Sequence, residues 1–194
     1  MPALLTALAV LVGPAVATHP APAGAAAPAV AEAAARPLEA YADYDGQTRC
    51  APRAKPGAKA LQRWLVATYG GSKGPISRAC SSGGQSEHKE GRALDWTMDA
   101  TRKADRRAVR RFLDDVLADD GQGRAHAKAR RMGIMYIIWD DRIWRSYDRF
   151  AVDDYRPCDR PADCSKTARH RDHVHVSLSR AGGRGDTSWY AGRV

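Results

Sequence analysis

These 194 residues contain no internal repeat, no CxxC pair, no glycine-rich phosphate loop and no βαβ alternation. The missing repeat excludes a solenoid or propeller. Without CxxC spacing, cysteine ligation of zinc has little support, and without a phosphate-binding arrangement a nuclease has little. The absence of βαβ units argues against a doubly wound parallel sheet. Basic residues are also scarce at the start, where Arg36 is the only Lys or Arg in the first forty positions. The apolar run Leu4 to Val16 is too short to cross a bilayer as a helix, but it has the length of an export signal with a small-x-small end at Ala15-Val16-Ala17. The expectation is a signal peptide over 1–17, a Pro/Ala tether over 18–40 too poor in apolar variety to build a core, and one domain over 41–194. No membrane span remains once the signal is removed, so the expected location is outside the cell, with wall association open.

Charge is abundant and one-sided. The formal net charge is +9, with 24 Arg against 7 Lys. Such a surface favours polyanions in general, so anionic wall polymers and nucleic acid both qualify by charge alone. Four cysteines, Cys50, Cys80, Cys158 and Cys164, all follow the expected signal. An even number in an exported domain reads as two disulfides with three pairings open. Cys50–Cys80 and Cys158–Cys164 are the expected pairs, the second closing a short Asp/Arg/Pro loop.

Periodicity predicts helices over Ala58 to Tyr69, Ala104 to Ala118 and Ala125 to Met132, stopped in the first and last cases by Gly70-Gly71 and Gly133. Strands are predicted over Ala93 to Met98, Ile134 to Trp139 and His173 to Leu178, with a hairpin at Asp140-Asp141-Arg142 leading into Ile143 to Tyr147. Ser72 to Gln85, Arg149 to Arg169 and the Gly-rich tail read as loops. Elements in this mixed order predict an α+β domain, a small antiparallel sheet flanked by helices.

Two segments carry chemistry. Ser86-Glu87-His88-Lys89-Glu90-Gly91-Arg92-Ala93-Leu94-Asp95-Trp96 is answered far downstream by Asp172-His173-Val174-His175-Val176. On a strand His173 and His175 share a face, which suits either a metal site or a hydrogen-bonded structural pair. Asp95 stands in an otherwise apolar strand, where an unpaired carboxylate is costly unless a cation lies nearby. Gly91 lets the chain bend so that His88 and Asp95 reach one ion. Two imidazole nitrogens and a carboxylate oxygen form the ligand set of a catalytic zinc site with one position open to water.

The pattern SxHxxGRAxD followed by HxH resembles the zinc peptidase group that contains lysostaphin-type enzymes, D-alanyl-D-alanine peptidases and the Hedgehog signalling domain, and is most similar to the D-alanyl-D-alanine peptidase branch. That resemblance implies a Hedgehog/DD-peptidase-like fold and Zn2+ held by His88, Asp95 and His175, with His173 beside the metal. It also implies hydrolysis of D-amino-acid-containing peptides of peptidoglycan. Arg78, ten residues before His88, is the candidate anchor for a substrate carbonyl or carboxylate, weighed against an ordinary surface arginine. One departure matters: where the branch has a glutamate base three residues before the last ligand, this chain has Asp172, one methylene shorter. Asp172 is a candidate base or a carboxylate that holds a histidine ring, and His173, Glu87 and Glu90 are the other candidates. The altered base favours a second reading, a zinc-stabilised wall-binding module without catalysis. A secreted nuclease is the third and least supported, so nucleic acid is not the expected partner. Trp96, Trp139 and Trp144 are candidates to wall the cleft, with core packing the expected role for each; Arg92 is expected in a structural role, and Arg184-Gly185-Asp186 as a chance string.

Overall fold

The computed structural model describes residues 37–194. The expected signal peptide and most of the expected tether lie outside the described residues. The folded part reaches back to Glu39, whose carboxylate accepts from the backbone N–H (2.6 Å) and hydroxyl (3.0 Å) of Ser188. Among the described residues no helix is long and apolar enough to cross a membrane.

Six strands form one antiparallel sheet: β1 (Ser72–Lys73), β2 (Ala93–Thr97), β3 (Ile134–Trp139), β4 (Arg142–Arg145), β5 (Val152–Asp154) and β6 (His173–Leu178), in spatial order β1-β2-β6-β3-β4-β5. Four α-helices accompany it: α1 (Pro56–Tyr69), α2 (Lys103–Val116), α3 (Ala127–Arg131) and α4 (Arg180–Arg184). The architecture is α+β, in one small domain. Alternation along the strands separates the two faces of the sheet. Leu94 and Trp96, Val174, Val176 and Leu178, and Ile137 and Trp139 enter one core with Leu61 and Leu65 of α1 and Phe112 and Val116 of α2. The intervening residues Asp95, His175, Ser177 and Tyr136 point the other way.

The predicted helices and strands match these elements to within about two residues, the ordinary uncertainty of element ends. Three short elements lie in segments expected to be loops: β1, β5 and α4. Each depends on a neighbour that local sequence does not reveal. β1 exists by pairing Ser72 and Lys73 with Thr97 and Trp96, and β5 by pairing with β4. In the Gly-rich tail, the Ser179 hydroxyl accepts from Gly182 N–H and caps α4. The glycines there are packed: a Cβ on Gly57 would lie 2.0 Å from the Gly182 carbonyl oxygen. α4 therefore sits against α1 at a distance only glycine permits. The disulfides are Cys50–Cys80 and Cys158–Cys164, and no described cysteine is free.

Candidate metal centre

Register alone brings two of the three donors together. β2 and β6 pair with Asp95 directly opposite His175, and β6 and β3 with His175 opposite Ile138. The backbone at Asp95 is clamped on its other edge. Gly74 N–H donates to the Asp95 carbonyl (3.0 Å), Asp95 N–H to the Pro75 carbonyl (2.9 Å), and the Gln62 amide of α1 donates to the Asp95 carbonyl at 3.1 Å.

His88 arrives on a 3-10 turn, Glu87–Glu90, which ends at Gly91 with φ +67°. A Cβ on Gly91 would stand 2.1 Å from the Arg53 carbonyl oxygen, so both the left-handed backbone and the close approach require glycine. The segment before α1 holds the turn from one side, through Ala51 N–H to the Lys89 carbonyl (2.7 Å) and Lys55 N–H to the Gly91 carbonyl (2.8 Å). Arg78 N–H, two residues from the Cys50–Cys80 bridge, reaches the His88 carbonyl (3.3 Å) from the other.

The three donors converge. His88 Nε2 lies 3.2 Å from Asp95 Oδ1 and 3.2 Å from His175 Nδ1, and His175 Nδ1 is 3.2 Å from Asp95 Oδ1. All three residues are buried. A tetrahedral ion with ligands at about 2.05 Å holds its donor atoms about 3.3 Å apart, which is this spacing. The far ring nitrogens fix which atoms carry hydrogen. His88 Nδ1 faces the Ile76 carbonyl at 3.0 Å, an acceptor only, so Nδ1 carries the proton. His175 Nε2 lies 2.9 Å from Ser177 Oγ, which donates to Glu87 Oε2 at 3.3 Å, so Nε2 carries the proton there. In the neutral rings both facing nitrogens are bare lone pairs, aimed at each other and at a carboxylate. Burial pushes the His175 pKa down, favouring the neutral ring. Burial by itself would raise the Asp95 pKa; contact with His175 and His88 lowers it, which requires a proton, or a cation in its place, between the carboxylate and a ring nitrogen. Three electron-pair donors in mutual contact are stable when a cation lies among them, and the residues fit a metal ion.

Behind His175 lies a buried chain. Glu87 Oε2 accepts from Ser177 and from the Tyr136 hydroxyl (2.5 Å), and the Tyr136 ring stacks on His175 at 5.5 Å. Burial, then the Glu87 charge, raises the Tyr136 pKa, so the hydroxyl remains a donor. Neither Glu87 nor Glu90 is free to reach the open side of the centre. Glu90 is committed to Arg92, with Arg92 Nε 2.7 Å from its Oε2. Glu87→Ala is expected to weaken divalent-cation binding about 10- to 100-fold, as loss of a partner behind a ligand commonly does. Titration against a competing chelator reads this, and unchanged affinity would mean that the Glu87–Ser177 pair does not set the His175 tautomer.

On the open side, His173 Nε2 is 3.7 Å from Asp95 Oδ1 and its Nδ1 is 2.7 Å from Asp172 Oδ1. The other Asp172 oxygen accepts from the Thr167 hydroxyl at 2.5 Å. Asp172 thus holds the His173 ring, and both of its oxygens are engaged. Burial would raise its pKa, but the Thr167 and His173 hydrogen bonds outweigh this and lower it. Arg78 borders the centre through its backbone, and its side chain is exposed, with no contact to the three donors. Trp96 and Trp139 lie in the core on the opposite face and Trp144 packs partly against it, so none walls this centre. Arg184 pairs with Asp186 at 2.6 Å as α4 ends.

One residue escaped the sequence reading. His170 lies 4.7 Å from His173 and 5.6 Å from His175, ring centre to ring centre, with the Tyr155 ring 5.0 Å away on its other side. Its buried Nδ1 has no hydrogen-bond partner among the described residues. Burial, then the nearby His175 and His173 rings, lowers its pKa to about 3, so the ring is neutral. The signal was the spacing His170-x-x-His173-x-His175, hidden because His170 ends a polar loop and has φ +50°.

Set against known proteins, residues 50–170 match the family model described as VldE, C-terminal domain. That is more than half of the chain, and the chain belongs to this family. The matched span holds His88, Asp95 and His170 and stops before β6. No curated protein and no solved structure matches.

Proposed function

We propose that this member of the VldE C-terminal domain family is an exported zinc hydrolase that cuts D-amino-acid-containing peptide bonds of peptidoglycan. The observation that carries the reading is the convergence of three lone-pair donors at 3.2 Å, with tautomers fixed from behind. His88, Asp95 and His175 would hold the ion. This donor set, with a fourth position open, belongs to catalytic rather than structural zinc. Bound zinc supplies an acidified water and a polarised carbonyl. The protein's own groups manage the proton. His173 takes it at Nε2, with Asp172 at Nδ1 stabilising the charge that forms, and returns it to the leaving amine. The two disulfides agree with an oxidising compartment, and the peptidoglycan substrate rests on the sequence resemblance.

Incubating the zinc-loaded chain with purified peptidoglycan, and weighing the released fragments by mass spectrometry, tests this. New fragments are expected, absent with chelator and restored by zinc. The engaged Asp172 carboxylate favours one rival, a wall-binding module whose metal is structural. Silence across several wall types with zinc still bound would establish that rival.

A further inference from the structure

The other face of the molecule holds a second surface, independent of the metal reading. α2 buries Ala108, Val109, Phe112 and Val116. Its outer side carries Lys103, Arg106, Arg107, Arg110 and Arg111, all exposed. These five line a cleft of about 510 Å³ in which Asp114 is the single carboxylate. A second cleft, of about 570 Å³, shares Arg106, Arg110 and Asp114 and continues over Leu113 and Leu117 to Trp144. Nearby acids are already occupied: Asp115 pairs with Lys128, Asp105 lies 4.0 Å from Arg102, and Asp140 pairs with Arg171. Arg107, Arg110 and Arg111 have no ion-pair partner among the described residues. Three guanidinium groups without an ion-pair partner, beside the single carboxylate of Asp114, make this helix face a site for negative charge.

We infer that the outer face of α2 binds a flexible polyol-phosphate polymer of the cell wall. Two observations choose this occupant. Cationic side chains recur every three or four residues, about 5 Å of rise per step, so a linear polymer can place successive phosphates along the helix. Among the described residues no fully exposed aromatic ring accompanies them. The exposed large apolar side chains among the described residues are Tyr44, Tyr147, Val152 and Val194, none on α2. Trp139 is buried and Trp144 half-buried. Binding of single-stranded nucleic acid combines a basic groove with open aromatic faces for the bases, whereas a polyol phosphate has no bases to stack. The disulfides point to the same side of the membrane as such polymers.

Fluorescence anisotropy of labelled poly(glycerol phosphate) against the full chain, over a series of salt concentrations, tests the inference. The combined Arg107→Gln, Arg110→Gln and Arg111→Gln variant removes three charges from exposed positions. Each phosphate contact on a flexible strand contributes about −0.7 to the slope of log K against log salt. The triple variant is therefore expected to bind about 100-fold more weakly at about 0.1 M salt, with a slope shallower by about 2. An equal change of net charge elsewhere, Arg142→Gln with Arg156→Gln and Arg160→Gln, is expected to stay within about threefold of the original. Chelator should change nothing, which separates this surface from the metal centre. Thermal unfolding confirms that both variants fold. No binding by the original chain, equal loss in the two triple variants, or tighter binding of single-stranded DNA with the same number of phosphates would each overturn the inference.

Discussion

His175→Ala is expected to abolish stoichiometric zinc binding and peptide hydrolysis together, while leaving a folded protein. The imidazole supplies one of three donor atoms and faces Asp95 across the β2–β6 ladder. Losing a group that merely supports a ligand costs about 10- to 100-fold in metal affinity, so losing the ligand itself should cost more than about 100-fold. Metal analysis after dialysis, beside the mass-spectrometric peptidoglycan assay, reads both effects. His173→Ala separates them. Its Nε2 lies 3.7 Å from Asp95 and is not among the three converging donors. That variant is expected to keep one equivalent of zinc yet lose about 10²- to 10⁴-fold in turnover, the usual contribution of a positioned acid–base group. Retained zinc in His175→Ala would refute the ligand assignment, and full activity in His173→Ala would refute the proton path.

The largest effect on stability should come from Arg92→Ala. Arg92 is 2% exposed and its guanidinium joins three parts of the fold. Nε meets Glu90, Nη1 donates to the Leu178 carbonyl at 2.6 Å, and Nη2 donates to the Asp45 carbonyl. Truncation removes the nearer of two cations at the buried Glu90 carboxylate, leaving Arg180 Nη2 3.7 Å from Oε1, and strands the Leu178 and Asp45 carbonyls; breaking such a buried pair costs about 3–5 kcal/mol. For a domain of this size that lowers Tm by roughly 10 °C or more. Lysine should recover only part, because an ammonium cannot reproduce the planar fork.

The acid dependence has a definite sign. In the native chain burial would raise the Glu90 pKa, but Arg92 and the Thr48 and Arg49 N–H groups outweigh it and lower it. Its contribution to stability is therefore complete above the ordinary glutamate pKa and lost as pH falls through the lowered one. In Arg92→Ala the largest offsetting partner is gone, so the folded pKa moves back up and the stability that ionised Glu90 contributes above it shrinks. The deficit against the native chain should thus be smaller at about pH 4 than at about pH 7. Denaturant unfolding at the two pH values measures it, and a deficit independent of pH would show that Glu90 is not the group left stranded.

Much of this was legible in the sequence. Period-3.6 and period-2 patterning gave α1, α2, β2, β3 and β6, because each buries its own apolar face in the core. The same alternation put Asp95, His173 and His175 on polar strand positions and made a metal the economical explanation of an acid in an apolar strand. Cysteine spacing led to both disulfides. Local pattern fails where an element is held by something distant. β1 and β5 are too short to declare themselves and exist through their partners, and α4 is a glycine helix pressed against Gly57. His170 enters the centre because its loop lies back against Asp140, whose N–H donates to the His170 carbonyl at 2.8 Å.

The roles of the carboxylates were decided by tertiary structure alone. Glu87, Glu90 and Asp172 are equivalent in sequence, three acids close to histidines. Folding assigns one to the Ser177–His175 chain, one to Arg92 and one to the His173 ring. Sequence by itself determined which side chains share a strand face, since that follows from backbone geometry within a few residues. Which lone pair faces which proton depends also on distant groups, as where Glu87 meets Ser177 and Tyr136, and only the packed sheet brings those together.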